Sequence, residues 1–83
     1  MATTMVPLEK DKWVEVSTVS VLFQMPDQVE AYAIEASAAP ADKDTTIRKK
    51  IIPGEIYSFQ KLDGNLYMIS LDNDSEVAIE PAS

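Results

Sequence analysis

The stretch PGEIYSFQKLDGNLYMISLD, residues 53–72, decides the fold class, because apolar and polar residues alternate on both sides of Asp63-Gly64. Such alternation is the pattern of a half-buried β-strand. An Asp-Gly pair between two alternating runs predicts a tight hairpin, since a type I′ turn needs a positive φ at both central residues. The predicted register places Leu62 opposite Asn65 and fixes every pair behind them.

Both faces of this predicted hairpin carry apolar side chains. One face pairs Phe59 with Met68, and we assign it to the core because it has the denser aromatic and sulfur content. The other face holds Ile56, Tyr67, Ile69 and Leu71. That is too much apolar surface to face water, so a further strand layer or another subunit is expected to cover it. We favour a subunit, because so short a chain has a single small core.

The upstream sequence repeats the β pattern. Residues 18–24 (TVSVLFQ) and 29–36 (VEAYAIEA) alternate on either side of the turn sequence MPDQ. They predict a second hairpin that pairs Val21 with Tyr32, although the Ala and Glu content of the second run would also permit a helix. Leu22 is an apolar residue on the otherwise polar side of its strand.

The complete pattern is that of an all-β domain. Further short strands are predicted at residues 13–16, 47–52 and 75–80, with turn or loop sequences between them. Six or seven short strands at this spacing are typical of a small antiparallel β-sandwich or barrel. Residues 1–12 are polar and aperiodic, so we expect a flexible N-terminal arm followed by a single β domain at residues 13–83.

The composition excludes most chemistry. There is no Cys and no His, which removes disulfides and the usual ligand sets of zinc, copper, haem and iron–sulfur centres. Nucleophilic catalysis also lacks its common base and nucleophile. We therefore expect a non-enzymatic protein without metal or cofactor. Small domains without such staples often gain stability by oligomerisation.

The charge balance limits the partners. The chain has 14 acidic and 7 basic residues, a formal net charge of -7. Such a surface repels phosphate backbones, so no nucleic acid is expected to bind. It also disfavours anionic membranes, and no apolar run is long enough to span a bilayer. No signal peptide is recognisable at the N-terminus, which indicates synthesis in the cytoplasm.

Three local features have a plain interpretation and a functional alternative. The acidic segment 72–76 begins like a calcium loop, but Val77 stands where that loop needs Gly, so a polar hairpin turn is favoured. The side chains of the basic run 48–50 point alternately to opposite sides of the predicted strand, which favours a charged edge strand over a phosphate site. An intermolecular ion pair with acidic residues is the remaining alternative. Trp13 is favoured as a core anchor, with an interface anchor as the alternative.

The order of landmarks from Trp13 onward resembles that of small β-rich accessory proteins of tailed-bacteriophage virions, which decorate capsids or contribute to head fibres and tail parts. These landmarks are WVEV at 13–16, VSVLFQ at 19–24, ASAAP at 36–40, IPGE at 52–55, DGNLY at 63–67 and VAIEP at 77–81. The resemblance implies a multi-copy structural protein, commonly a homotrimer, located in the virion. It further implies binding to the capsid or another virion protein through the arm or one end of the sandwich.

A binding module is the alternative function. The protein could be a receptor- or glycan-contacting fibre domain, or an acidic inhibitor of a host protein. A glycan site would require exposed aromatic side chains in loops, whereas the aromatic residues of this chain fall mostly in predicted strands. An inhibitor would act as a monomer or dimer, so the oligomeric state separates the two hypotheses.

Overall fold

The computed structural model describes residues 3–41, 47–71 and 73–81, and these residues form an all-β fold, as the alternating pattern predicts. There are eight strands, and no helix occurs in the described ranges. The strands are β1 Thr4–Leu8, β2 Val14–Ser17, β3 Val21–Gln24, β4 Glu30–Ala36, β5 Lys49–Ile51, β6 Ile56–Phe59, β7 Asn65–Leu71 and β8 Ser75–Pro81.

The strands form two four-stranded antiparallel sheets, with the order β1-β8-β3-β6 in sheet A and β2-β7-β4-β5 in sheet B. Every first-half strand therefore pairs with its counterpart from the second half: β1 with β8, β2 with β7, β3 with β6 and β4 with β5. The chain forms one long ribbon that is doubled at β4–β5, and apart from these two paired strands, successive strands alternate between the sheets. This is the strand order of a jelly roll, and it makes the fold a sandwich of two separate sheets.

The core lies between the two sheets, because alternate side chains of each strand point inward. Phe23 on β3 and Tyr57 on β6 are cross-strand partners whose rings stack with centroids 5.6 Å apart. The buried core residues are Leu8, Val16, Val21, Phe23, Met25, Ala31, Ala33, Ile51, Phe59, Leu66, Met68 and Val77. The predicted core assignment of Phe59 and Met68 is confirmed.

The hairpin predicted at Asp63-Gly64 is wrong, although both of its strands exist. β6 pairs with β3 in sheet A, whereas β7 pairs with β2 and β4 in sheet B, so residues 60–64 cross from one sheet to the other. Gly64 is not among the described residues with positive φ, which are Asp11 and Gly54. A Cβ at Gly64 would lie 2.9 Å from backbone atoms of Ala36. Glycine is needed here for close backbone approach and not for a type I′ turn.

The second predicted hairpin fails in the same way. β3 and β4 belong to different sheets, and Val21 pairs with Phe59 instead of Tyr32. The sequence between them turns a corner of the sandwich, where Met25 is fully buried and its carbonyl accepts a hydrogen bond from the Gly54 amide at 2.9 Å. The strand assignments themselves are correct, and β4 excludes the helical alternative.

The flexible arm predicted for residues 1–12 is wrong for most of its length. β1 forms the edge of sheet A beside β8, with Val6 opposite Val77, and Leu8 is buried in the core. The next residues are also fixed, since the Asp11 amide donates to the Ser70 carbonyl at 2.8 Å. A short strand with two inward apolar residues escapes detection by periodicity, because Pro7 interrupts the pattern. Residues 1–2 lie outside the described range.

Candidate functional site

The predicted interface residues do not share one face. Tyr67, Ile69 and Leu71 lie on the outer face of sheet B, since Leu66 and Met68 of the same strand point into the core. Ile56 lies on the outer face of sheet A, opposite Gln24. These residues would share one face only if β6 and β7 formed a hairpin. In the jelly roll, β6 and β7 belong to different sheets, so Ile56 is separated from Tyr67, Ile69 and Leu71.

The outer face of sheet B is covered by the chain's own side chains. Ile69 has no exposed surface and Tyr67 is 7% exposed in the isolated chain, so neither can contact another subunit. Tyr32 and Ile34 of β4 lie beside them in register. Extending the β2–β7 register by one residue places half-buried Trp13 opposite Ile69. The predicted interface role of Tyr67 and Ile69 is therefore wrong, whereas Leu71 and Trp13 are only half-buried.

Polar contacts fix the aromatic rings on this face. The Tyr67 hydroxyl donates to the Glu15 carboxylate at 3.2 Å, and the Tyr32 hydroxyl donates to Glu30. The Arg48 guanidinium lies 3.9 Å from the centroid of the Tyr32 ring, a cation–π contact. Burial, followed by the hydrogen bond to Glu15, raises the pKa of Tyr67 above its ordinary value. The hydrogen bond to Glu30 is the main cause that raises the pKa of Tyr32.

Three exposed large apolar side chains lie together on the outer face of sheet A, whereas the others, Val19, Ile47, Ile52 and Leu62, lie outside the strands. Met5 is 43% exposed, Leu22 is 37% exposed and Ile56 is 69% exposed. The sheet register places Met5, Ala78, Gln24 and Ile56 in one row across four strands. We name Met5, Leu22 and Ile56 the outer patch. The sequence contained a signal for it, since Leu22 is the apolar residue on the polar side of its strand.

A shallow depression of about 150 Å³ crosses the outer patch. Its lining residues are Thr3, Leu22, Phe23, Gln24, Ile56, Ala78 and Glu80. Polar groups border the depression: Thr3 Oγ1 donates to Glu80 at 2.7 Å, and Gln24 Nε2 donates to the Gly54 carbonyl at 2.9 Å. An apolar centre with a hydrogen-bonded polar rim is the anatomy of a protein–protein docking surface.

The basic run is an edge strand, as predicted. β5 is the outermost strand of sheet B, and its side chains alternate in direction. Arg48 contacts the Tyr32 ring on the outer face, whereas Lys49 Nζ lies 5.0 Å from the centroid of the Tyr57 ring, on the side of sheet A. The three cations therefore do not form a single phosphate-binding patch.

The acidic turn is held by hydrogen bonds within the chain. Asp74 Oδ1 accepts the Lys10 amide at 2.7 Å, and the Asn73 carbonyl accepts the Ser70 hydroxyl at 2.8 Å. The described residues contain no group of three or more acidic, His or Cys side chains that could hold a metal ion. Asp72 itself lies outside those residues. Calcium binding at segment 72–76 stays a prediction without a test.

All buried side-chain polar atoms in the described part of the chain have hydrogen-bond partners. This part also contains no helix that is long and apolar enough to cross a membrane. Comparison with models of protein families, with curated proteins and with solved structures finds no match in any of the three. The exposed surface is therefore the guide to function.

Proposed function

We propose that this protein is a non-enzymatic structural subunit that works by association with other chains through the outer patch. In the setting that the sequence resemblance implies, it is a phage virion accessory protein. It would assemble as an oligomer, commonly a trimer, and bind the capsid or a neighbouring virion protein. The observation that carries the proposal is the exposure of Met5, Leu22 and Ile56 on one sheet face, where Leu22 and Ile56 line a depression.

The outer patch supports association because it is apolar without a role in the chain's own core. Complete burial of an Ile side chain stabilises by about 1.5–3 kcal/mol. Ile56 is 69% exposed, so its burial by a partner would contribute about 1–2 kcal/mol. A small sandwich gains proportionally more from such contacts than a large domain, because it buries a smaller share of its own surface.

Two observations support a location in the virion, one from the sequence and one from the fold. The landmarks of the sequence resemble phage accessory proteins, and jelly rolls are common among viral capsid domains. The same architecture also serves lectins and cupins, so the fold does not select a function. The exposed outer patch supports association with other chains. The sequence resemblance supports the proposal that this association takes place in a phage virion.

The test is light scattering after size-exclusion chromatography over a micromolar concentration series. The wild-type protein is expected to be an oligomer, and Ile56→Glu is expected to dissociate it while the β-type circular dichroism stays unchanged. Leu62→Glu is the matched control, because Leu62 is equally exposed at 69% but lies outside the outer patch, beside Glu35 and Asp63.

Two results would contradict the proposal. If the wild-type protein were a monomer throughout the concentration series, the proposed self-association would be refuted. If Ile56→Glu and Leu62→Glu lowered the molar mass of the oligomer equally, the added charge and not the outer patch would control the assembly.

A further inference from the structure

The four sheet edges differ in how they resist an additional strand. Exposed edges are usually blocked by proline, bulges or charged side chains. β1 contains Pro7, β2 has a register shift between Glu15 and Ser17, and β5 is three residues long with two lysines. β6 carries none of these features in its sequence IYSF. It is the one edge whose free backbone groups stand open to pairing among the described strands.

The backbone of β6 is satisfied on one side only. Its residues pair with β3, from Ile56 opposite Gln24 to Phe59 opposite Val21. Within the described part of the chain, no other backbone or side-chain group bonds to the main chain of these four residues. Alternate N–H and C=O groups of β6 therefore point outward, which is the template for β-strand addition.

This open edge is held rigid by Tyr57. The Tyr57 ring stacks on Phe23, and its hydroxyl accepts the Ile52 amide at 2.9 Å and donates to Glu55 at 3.1 Å. A strand that is already ordered loses little conformational entropy when another segment pairs with it. The edge is thus preorganised for binding.

The two sides of the open edge differ chemically. On the outer side, Ile56 is exposed beside the outer patch. On the inner side, Lys49 Nζ lies 5.0 Å from the centroid of the Tyr57 ring. Lys50, the next residue of β5, points to the opposite face of sheet B, beside Tyr32. Neither lysine has an ion pair with a described carboxylate, since Lys12–Glu9 is the salt bridge found there. Lys49 is also one of only seven basic residues in an acidic chain.

We propose that the free edge of β6 binds an extended segment of another protein in which apolar and acidic residues alternate. Successive side chains of an added strand point to opposite faces. Its apolar residues would contact Ile56 on the outer side, and its carboxylates would face Lys49. The added strand lies beside sheet A and not on it, so it extends the outer face instead of covering it.

This inference rests on the proposed function, because it names the chemistry of a partner for an assembly protein. A second copy is a poorer occupant. Two β6 strands related by a two-fold axis would bring the two β5 edges together, and Lys49 of each copy would repel its counterpart.

The test is nuclear magnetic resonance titration of the full chain with a synthetic peptide that alternates Val and Glu. We expect the amide signals of residues 56–59 to move most. A matched peptide with Lys in place of Glu should bind about tenfold more weakly, the effect of losing one to two charge-assisted contacts. The variant Lys49→Glu should reverse the preference between the two peptides, with unchanged circular dichroism.

The outcomes separate this inference from the proposed function. Absence of shifts at residues 56–59, or equal binding of both peptides, overturns the inference even when light scattering still shows an oligomer. A monomer that binds the acidic peptide at β6 overturns self-association and supports the inference. Because the chain has no native Cys, Ser58→Cys adds one further readout: a rapid symmetric disulfide would identify a second copy as the occupant and overturn the inference.

Discussion

Substitution of Gly64 by Ala tests whether this glycine permits close approach between backbone segments. An ideal Cβ at position 64 would lie 2.9 Å from the backbone N and C atoms of Ala36 and 3.0 Å from its carbonyl oxygen. These atoms belong to the last residue of β4, so they cannot move away as a flexible side chain would. The site is further restrained because the Gly64 amide donates to Glu35 at 3.1 Å.

The expected loss of stability is moderate and measurable. Overpacking of a closely packed site costs about 1–3 kcal/mol. The reduced entropy of the unfolded chain returns about 0.4–1 kcal/mol when Gly becomes Ala. The net loss should be about 1–2 kcal/mol, against a total stability of about 4–12 kcal/mol for a chain of 83 residues. The melting temperature should fall by about 4–16 °C.

The assay is urea unfolding followed by Trp13 fluorescence, with Gly54 as the comparison site. Gly54 has a φ of 88° and open space around its Cβ position, so its requirement is conformational and not steric. Asn adopts positive φ more readily than Ala. At position 54, Asn should therefore cost less than Ala, whereas at position 64 it should cost at least as much. The slope of the unfolding free energy with urea should not change.

The opposite pattern at position 64 would refute this reasoning. A Gly64→Asn variant that is more stable than Gly64→Ala would indicate a left-handed turn at Asp63-Gly64. A Gly64→Ala variant with wild-type stability would show that the chain crossing relaxes freely there.

Two other predictions concern the outer face of sheet B. Ile69→Glu should prevent folding and not merely dissociate an oligomer, because Ile69 has no exposed surface and a buried unpaired charge is costly. Near-native circular dichroism and a stable fold in this variant would contradict the burial of Ile69. The raised pKa of Tyr67 implies that stability falls as the pH rises above 10.0, since unfolded Tyr then ionises before folded Tyr. Glu15→Gln should lower that pKa in an ultraviolet titration of tyrosinate absorbance, and an unchanged titration would remove Glu15 as a cause.

The positions of most strands could be predicted from the sequence, whereas their partners could not. Alternation at TVSVLFQ and VEAYAIEA is a local property and located β3 and β4 correctly. Pairing depends on where the chain goes next. In this jelly roll, only β4 and β5 are consecutive strands that pair with each other. A turn sequence such as Asp63-Gly64 is compatible with a hairpin and with a corner, and only the packing of the two sheets distinguishes them.

The candidate site was missed for the same reason. Ile56 was assigned to one face with Ile69 because the hairpin register placed them close together, but the two residues lie in different sheets. Once β6 is moved beside β3, Ile56 joins Leu22, whose position on a polar strand face was visible in the sequence. The exposure of Met5 could not be predicted, because the first strand was interpreted as an arm.

The pairing of β1 with β8 has a consequence for how the molecule folds. During synthesis, the segment that becomes β1 emerges long before β8, the strand that pairs with it. Bringing such distant segments together carries a loop-closure cost before any contact compensates for it, so sandwiches of this kind fold in milliseconds to seconds. Sheet A should therefore close last, and the nascent chain should expose the apolar inner faces of β1 and β3, the neighbours of β8, until β8 has emerged from the ribosome.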